Sequence, residues 1–296
     1  MHKNCIACDS QKIKKILHFR GLFVNKCKNC GLFFVEIEEG FKIKKTSELY
    51  PENMYDNYWN YESGFYEKHW NEFENHENDI LNDLRNEAEY LYKHYKKGKL
   101  LDVGCFKGHF CNFMQEKGWE TVGVDISKEA IEFGKKKFGI NLLYGELDKL
   151  KLDKESFDMA TMWGVIEHFP NPHVQIKNLN LLLKKGGVLI IKTQNQKSLL
   201  TSIALILYKI SFGVFNSHLD FFYSREHLCR FDPKSLGRLL ESEGFSVKNI
   251  SFDSAYIFKF AINNAKIHIR MAFKIIGFMS RLINKQDKII VFAEKK

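Results

Sequence analysis

From Lys99 to the end of the chain, short apolar runs alternate with segments of helical period, and this alternation constrains the fold more than any other feature. Runs such as KLLDVG and TVGVD have the composition of buried strands, and each is followed by residues that start and then stop a helix. Strands that alternate with helices are typical of a parallel sheet. The sequence therefore predicts an α/β fold built on a doubly wound, mostly parallel sheet.

Helix ends are marked by capping residues. Ser127 and Asp232 are typical helix N-caps, and Asp232 is followed by a proline in the first turn. A further helix is predicted to begin at Pro172 and to end at the KKGG sequence of residues 184–187. The runs SVKNISFD and DKIIVFAEK are the last two predicted strands.

Polar residues and glycines cluster where the predicted strands end. In open α/β sheets, ligands bind beyond the carboxyl ends of the strands, near the switch in strand order. We therefore expect one binding site from the residues that follow the first four strands. These are, in chain order, Asp102–Gly108, Asp125, Glu146 and Trp163–His168.

The turn after KLLDV has the composition of a loop that approaches a ligand closely. Gly104 and Gly108 would let backbone N–H groups come near a bound molecule. Asp125 stands 23 residues after Asp102, where a nucleoside-binding βαβ unit has the acid that accepts ribose hydroxyls. The full G-x-G-x-x-G spacing is missing, which argues against NAD. Phe106 stands where a small residue is usual, and a positive φ there would cost about 1–2 kcal/mol.

The seven cysteines divide into four near the N-terminus and three scattered ones. The first four form two C-x2-C pairs with 18 residues between them, a spacing that brings four thiolates to one tetrahedral Zn²⁺. The N-terminus has no apolar segment typical of a secretory signal, so we expect a cytoplasmic protein and metal ligation rather than disulfides. The predicted zinc ligands are Cys5, Cys8, Cys27 and Cys30. The others, expected to be buried structural residues, are Cys105, Cys111 and Cys229.

The net charge of +9 is concentrated in residues 246–296, which contain ten Lys/Arg and three Asp/Glu. Within 261–283, basic residues recur every four positions on one face of a predicted amphipathic helix. Such a helix, together with the apolar segment 199–215, could contact anionic lipid at a membrane surface. The alternative is a helical cap over a pocket with a solvated basic face, and it is favoured because amphipathic helices usually cover a core. Segment 199–215 contains Lys209 and is shorter than the ~20 residues of a bilayer span.

Four segments together carry a resemblance to a known family. In order and spacing they resemble the motifs of class I S-adenosylmethionine (SAM) methyltransferases, and more closely a subgroup with an N-terminal zinc ribbon that acts in bacterial sugar and surface-polysaccharide biosynthesis. This resemblance implies a seven-stranded Rossmann-like sheet and SAM as cofactor. The segments are LLDVGCFKG, TVGVDIS, FDMATMWGVIEHFPNP and LLLKKGGVLIIKT.

With the resemblance included, we expect three parts. They are a zinc ribbon (1–40), a helical and aromatic connector or lid (41–98) and a SAM-dependent methyltransferase domain (99–296) with inserted helices at 199–215 and 261–283.

The resemblance also implies which residues bind the cofactor. The glycine turn would surround the methionine part of SAM, and Asp125 would hold the ribose. Trp163 and Gly164 would lie beside the sulfonium, although core packing is an alternative for Trp163. The implied residues are Asp102, Gly104, Cys105, Phe106, Gly108, Asp125, Ile126, Glu146, Leu147, Trp163 and Gly164.

The implied reaction is an in-line displacement on the methyl carbon of SAM, in which alignment of the reactants supplies much of the catalysis. An alcohol acceptor must also lose a proton, and a histidine is the natural base near neutral pH. His168 is the first candidate and His227 the second, with Glu167 facing the acceptor. A structural hydrogen-bonding role is the alternative for each histidine. His218 and Asp220 are further candidates.

These inferences predict O-methylation of a small-molecule sugar acceptor, nucleotide-linked or lipid-linked, in surface-glycan synthesis. A tRNA- or quinone-directed enzyme and a sugar C-methyltransferase remain alternatives. A scaffold protein on a degenerate fold is the non-enzyme alternative, and Phe106 is the residue that raises it. Nucleic acid is not the expected partner, because the ribbon has no arginine-rich or base-stacking strip. The sequence predicts no oligomeric state.

Overall fold

The computed structural model of the chain describes residues 4–19, 21–37, 70–214, 219, 222–223, 227–254 and 266–296. Half of the predicted connector, residues 41–69, therefore lies outside the described residues, and so do His218 and Asp220. Of residues 199–215 and 261–283, the parts described are 199–214 and 266–283.

The described elements alternate as the sequence predicts. The strands are β1 (Ile13–Phe19), β2 (Leu22–Cys27), β3 (Phe33–Ile37), β4 (Lys99–Val103), β5 (Glu120–Asp125), β6 (Asn141–Tyr144), β7 (Phe157–Trp163), β8 (Leu183–Gln194), β9 (Cys229–Arg230), β10 (Phe245–Asp253) and β11 (Lys288–Lys295). The helices are α1 (Trp70–His94), α2 (His109–Glu116), α3 (Lys128–Phe138), α4 (Pro172–Leu182), α5 (Leu199–Ile210), α6 (Pro233–Ser242) and α7 (Ile267–Leu282). Short 3-10 turns lie at Leu147–Lys149 and Ile166–His168.

The strands form two sheets, and the larger one confirms the predicted fold class. Its seven strands have the order β10-β11-β8-β7-β4-β5-β6. Strand β4 pairs in parallel with β5 and with β7, and β5 pairs in parallel with β6. The pair β10–β11 is antiparallel. This is an α/β fold with a seven-stranded, mostly parallel sheet.

The chain divides into two compact units. The central unit contains residues Lys44–Met162 and Leu181–Val188. The terminal unit contains residues Met1–Ile43, Trp163–Asn180 and Leu189–Lys296.

The smaller sheet belongs to the terminal unit and has the order β1-β2-β3-β9. All its pairings are antiparallel, and β9 joins it through Phe34 opposite Cys229. The backbone N–H of Val35 also donates to the Leu228 carbonyl over 2.9 Å. Apolar side chains of β1–β3 pack with Ala204 of α5 in one buried cluster. No local pattern in the sequence predicts that a strand from near residue 229 completes the N-terminal sheet.

Two predicted helix starts are confirmed, and one predicted boundary is wrong. Ser127 Oγ accepts from the Ala130 N–H, and Asp232 forms a capping box with Ser235. The helix predicted to end at residues 184–187 ends instead at Leu182, and β8 already begins at Leu183. Gly186 has φ 75, which a right-handed helix cannot accommodate.

Among the described residues, no helix combines the length and hydropathy needed to cross a bilayer. Helix α5, the centre of the apolar segment, has 12 residues.

Candidate functional site

The loop between β4 and α2 has an unusual backbone. Gly104, Phe106 and Gly108 all have positive φ, at 74, 52 and 74. The N–H groups of Gly104 and Cys105 both donate to the Val124 carbonyl of β5, at 2.8 and 3.1 Å. The loop is therefore fixed on the end of the neighbouring strand, and Phe106 adopts the conformation that costs a non-glycine residue about 1–2 kcal/mol.

A hydrogen bond to Asp125 accompanies this strained conformation of Phe106. The Phe106 N–H donates to Asp125 Oδ2 over 2.8 Å, and bonds to a carboxylate are stronger than neutral ones. The Phe106 ring is only partly buried, and Lys107 Nζ lies 5.2 Å from its centroid. The ring therefore does not belong to the core. The backbone of Phe106 still has the positive φ that is usual for a glycine.

Asp125 ends β5, and the backbone around it fixes its carboxylate. Oδ1 accepts from the Ser127 N–H over 2.8 Å, while Oδ2 accepts from Phe106. Burial raises the pKa of Asp125, and the N–H groups of Ser127, Phe106 and Ile126 oppose that rise. A carboxylate has about four acceptor positions in all, so these three N–H donors leave room for a further donor. An acid that ends the second strand of such a sheet is placed to accept ribose hydroxyls.

Asp102 is buried beneath the same loop, with its side chain only 2% exposed. Its Oδ1 accepts from Thr161 Oγ1 over 2.7 Å, and Cys111 Sγ approaches Oδ2 at 3.9 Å. Burial raises its pKa to about 7, with a contribution from the Asp125 charge and opposition from the Thr161 hydroxyl. The carboxyl therefore braces β4 against β7 and changes its charge near neutral pH.

Replacing Asp102 with asparagine is expected to flatten the pH dependence of stability. The unfolded pKa of about 3.9 is below the folded value, so ionisation of Asp102 destabilises the native state as pH rises. With a folded pKa of about 7, the wild type should lose roughly 2–3 kcal/mol from this group between pH 5 and pH 8. Urea unfolding of both proteins across this range measures the difference. Parallel curves would contradict the assignment.

Sequence reasoning missed two residues that shape this part of the central unit. Thr161 is the donor to Asp102. Gly134 of α3 lies so close to the loop that a Cβ there would be 2.4 Å from the Lys107 carbonyl oxygen. A glycine inside a helical pattern was the available signal, since such a glycine often has a packing reason.

The remaining predicted adenosine-side residues follow β5 and β6. The Gly145 N–H donates to the Asp125 carbonyl over 2.9 Å, which ties the ends of these strands together. Leu147 is buried and Ile126 is partly buried. Glu146 Oε1 pairs with Lys149 Nζ at 2.6 Å. The residues that follow β5 and β6 therefore lie in the same region of the central unit as the glycine loop and Asp125. The loop residues concerned are Gly104, Cys105, Phe106 and Gly108.

The other predicted residues lie in the terminal unit. Trp163 and Gly164 are partly buried at the end of β7, and the Gly164 N–H donates to the Lys192 carbonyl over 2.8 Å. Glu167 is 2% exposed, and its Oε2 accepts from Thr193 Oγ1 over 2.8 Å.

His168 and His227 lie together beside Glu167. Their ring centroids are 4.8 Å apart, and one potential ligand atom of each of the three residues lies within 4.8 Å of the others. Burial lowers the pKa of His227 well below its usual value, and the nearby His168, Arg230 and Lys288 lower it further. His227 is therefore neutral at neutral pH.

Two histidines and a carboxylate are also a possible ligand set for a divalent metal. The charges around them argue against a bound dication. Arg230 and Lys288 both act on His227, and Lys288 also interacts with Glu167. Two such cations make the position unfavourable for a further dication.

Arg230 is a third residue that sequence reasoning missed. It is 3% exposed, and its Nε donates to Gln196 Oε1 over 2.7 Å. One terminal nitrogen donates to Gln194 Oε1 and to the Phe222 carbonyl. Gln194 Nε2 in turn lies 3.4 Å from His227 Nδ1. Arg230 thus orients the glutamine beside the histidine pair.

The four N-terminal cysteines converge in the terminal unit. Sγ of Cys5 and Cys30 are 3.6 Å apart, as are those of Cys8 and Cys27, and all four lie within 4.8 Å of one another. A tetrahedral Zn²⁺ with bonds of about 2.3 Å would set its ligand sulfurs about 3.8 Å apart, so the thiols fit such an ion. All four are free thiols. Hydrogen bonding between Cys5 and Cys30 lowers the pKa of Cys5 to about 5 and raises the pKa of Cys30, and burial raises the pKa of Cys8.

Strand β9 connects this cysteine sheet with the acid and histidine cluster. Cys229 pairs with Phe34 of β3, and its Sγ donates to the Ile166 carbonyl over 3.4 Å. The same short strand contains Arg230 and begins two residues after His227. The position of the histidine pair therefore depends on the N-terminal sheet.

A parallel sheet with a glycine loop on one strand and an acid ending the next defines a nucleoside-binding α/β protein. Sequence comparison narrows this class: the chain belongs to the methyltransferase domain family, whose sequence model matches residues 72–249.

Two curated relatives match shorter stretches. A ubiquinone biosynthesis O-methyltransferase of Coxiella burnetii is 35% identical over 106 residues, which is 34% of this chain and 45% of that protein. An uncharacterised protein of Methanocaldococcus jannaschii is 33% identical over 124 residues, 42% of this chain and 57% of that one. Each match thus spans less than two thirds of the relative's length.

A solved structure shows the same fold. A SAM-dependent methyltransferase from Archaeoglobus fulgidus superposes with a TM-score of 0.51 at 24% identity, covering 73% of this chain and 93% of that one. The likeness concerns the fold alone.

Proposed function

We propose that this protein is a SAM-dependent O-methyltransferase. The observation that carries the proposal is Asp125, whose two oxygens are oriented by the N–H groups of Phe106 and Ser127 at the end of β5, where an acid can accept ribose hydroxyls. Because the chain belongs to the methyltransferase domain family, we take the nucleoside to be the adenosine part of SAM and the reaction to be methyl transfer. Phe106 is no obstacle, because its backbone already has the positive φ of a glycine turn.

The donor would be held by the central unit. The Gly104–Gly108 loop would enclose the methionine part, and Ile126 and Leu147 would pack against the adenine. SAM supplies an electrophilic methyl group on a sulfonium leaving group. The residues of this chain would bind it, orient it and exclude water from it.

The acceptor proton would be taken by the histidine pair. His227 is kept neutral by burial and by neighbouring cations, and its ring contacts that of His168. Glu167, held by Thr193, can stabilise positive charge that develops on either ring. One of these histidines would act as the general base that removes the proton of an attacking hydroxyl.

For the acceptor we propose a sugar hydroxyl, nucleotide-linked or lipid-linked. The sequence resemblance to the ribbon-bearing glycan subgroup supports this choice. A phenolic hydroxyl of a quinone precursor is the second candidate, because curated relatives at 35% identity are named ubiquinone biosynthesis O-methyltransferases.

We also propose that the four N-terminal cysteines hold a structural Zn²⁺. The support is their free thiols and sulfur separations of 3.6 Å, close to the edge of a zinc–sulfur tetrahedron.

Transfer of labelled methyl from SAM to a panel of nucleotide sugars, lipid-linked sugars and catechols tests the proposed reaction. We expect product with a sugar acceptor, and His168→Ala or His227→Ala should lower kcat by about 100-fold or more, as for loss of a general base. The dissociation constant for SAM should stay within about threefold, since neither histidine belongs to the central unit.

His173→Ala is the matched control, because His173 lies on α4 and is not a member of the group formed by Glu167 and the two histidines, so the variant should support normal turnover. Product from catechols alone would select the second acceptor. Absence of SAM binding by the folded, zinc-loaded protein would refute the proposed function and favour a scaffold. Undiminished turnover in both histidine variants would remove only the base assignment.

A further inference from the structure

Helix α7 carries a stripe of large apolar side chains that faces outward. Five of them recur at intervals of three or four residues, so they share one face along the whole helix. Their exposed fractions lie between 58% and 70%, whereas a helix that only covers a core exposes its polar face. The stripe consists of Ile267, Met271, Ile275, Phe278 and Leu282.

The attachment of α7 to the protein uses a different face. Gly277 and Ser280 are its buried residues, and Phe273 and Ile276 are partly buried beside them. The helix therefore packs through a narrow seam, and the outward stripe contributes nothing to that contact. The interpretation of α7 as a simple cap over a pocket does not account for the stripe.

Basic residues border the stripe. At 100° per residue, Arg270, Lys274 and Arg281 fall on the side of the helix next to it, between the stripe and the buried seam. Residues 266–286 contain five Lys/Arg and no Asp/Glu. An apolar stripe with cations along its edge is the arrangement of a helix that lies in the headgroup region of a membrane.

Helix α5 adds exposed apolar side chains in the same unit. Its first residue is joined to the segment after α7, where the Leu199 N–H donates to the Lys285 carbonyl over 2.9 Å. Towards and beyond its C-terminal end, Ile206, Ile210 and Phe212 are 56%, 67% and 97% exposed. Exposed apolar side chains of this kind can contact the surface of a bilayer.

We propose that α7, together with the C-terminal end of α5, is a docking surface for an anionic lipid bilayer. The apolar stripe would enter the boundary between headgroups and acyl chains, and the basic row would meet anionic headgroups. This proposal is independent of the methyl-transfer reaction, because it uses none of the residues assigned to the donor or the acceptor.

Vesicle co-sedimentation of the full-length, zinc-loaded protein tests the surface. We expect binding to phosphatidylcholine vesicles containing about 30% phosphatidylglycerol, at least tenfold weaker binding to phosphatidylcholine alone, and weakening with salt as surface charges are screened. Ile275→Ser/Phe278→Ser and Arg270→Glu/Lys274→Glu should each reduce binding at least tenfold. The variants remove the apolar and the electrostatic contribution separately.

The control is Lys135→Glu/Lys136→Glu, which makes the same charge change at exposed positions in the last turn of α3. It should bind vesicles like the wild type. Unchanged thermal unfolding and SAM binding in all variants would show that the fold is intact.

Two results would overturn the proposal. One is no binding of the wild type to anionic vesicles at low salt. The other is a dimer in light scattering that Ile275→Ser/Phe278→Ser dissociates while vesicle binding is unaffected, since the stripe would then be covered by a second copy of the chain.

Discussion

Replacing Asp125 with alanine is expected to weaken binding of SAM and S-adenosylhomocysteine by about 100-fold or more. Two effects combine. The ribose would lose both oxygens of its acceptor, each bond to a charged group being worth about 1.5–3 kcal/mol. The loop would also lose the carboxylate that accepts the Phe106 N–H. In the native loop this hydrogen bond occurs together with the positive φ of Phe106. Calorimetry with both ligands measures the change.

Asp153→Ala is the matched control, because Asp153 is an exposed acid of the same unit between β6 and β7. It should bind SAM like the wild type. Asp125→Asn should be intermediate, since one oxygen remains and the new amide faces a backbone N–H. Wild-type affinity in a folded Asp125→Ala protein would show that the acid is only a helix-start residue, and the donor site would have to be reassigned.

Removing the predicted zinc site should abolish methyl transfer without abolishing donor binding. In Cys27→Ser/Cys30→Ser we expect loss of one equivalent of zinc, about 100-fold or greater loss of turnover, and a dissociation constant for SAM within about threefold of wild type. Structural zinc contributes about 10–16 kcal/mol to the folding of small zinc domains. Without it, β3 cannot hold β9, on which Arg230 lies next to the histidine pair.

Metal analysis, activity and calorimetry on one preparation separate these effects. Lys28→Ser is the control, because Lys28 is exposed in the same turn and contributes no thiol. A variant that loses zinc but keeps its turnover would show that the ribbon does not position the acceptor side. Zinc content near zero in the wild type would refute the metal itself.

These two predictions imply that donor binding and turnover depend on different residues of the chain. Most of the predicted donor residues belong to the central unit, while Trp163, Gly164, the acid, the histidines and the cysteine sheet belong to the terminal unit. Asp125→Ala should therefore act on donor affinity, and the cysteine variant on turnover.

Much of the fold was predictable because it depends on local patterns. Apolar runs ending in Asp102 and Asp125 identified β4 and β5, and capping residues placed the starts of α3 and α6. The boundary between α4 and β8 was wrong by a few residues, since KKGG resembles a helix end and the backbone there is already extended.

Part of the site was predictable for the same reason. Residues at the carboxyl ends of neighbouring parallel strands must lie at one edge of the sheet, so the glycine loop and Asp125 could be placed together. The backbone angle of Phe106 could not, because it depends on the bond that its N–H makes to Asp125. Thr161 was also missed, because it contacts Asp102 only through the pairing of β4 with β7.

The sequence by itself determined the α/β class, the order of strands and helices, the cysteine spacing and the acids that end the strands, because periodicity, capping and ligand spacing are local properties of the chain. Only the tertiary structure decided that Cys229 and Arg230 complete the N-terminal sheet, that His168 and His227 come together beside Glu167, and that α7 turns an apolar stripe outward. These are contacts between residues distant in sequence, or choices about which face is buried. They follow from the packing of the whole chain, which no local pattern specifies.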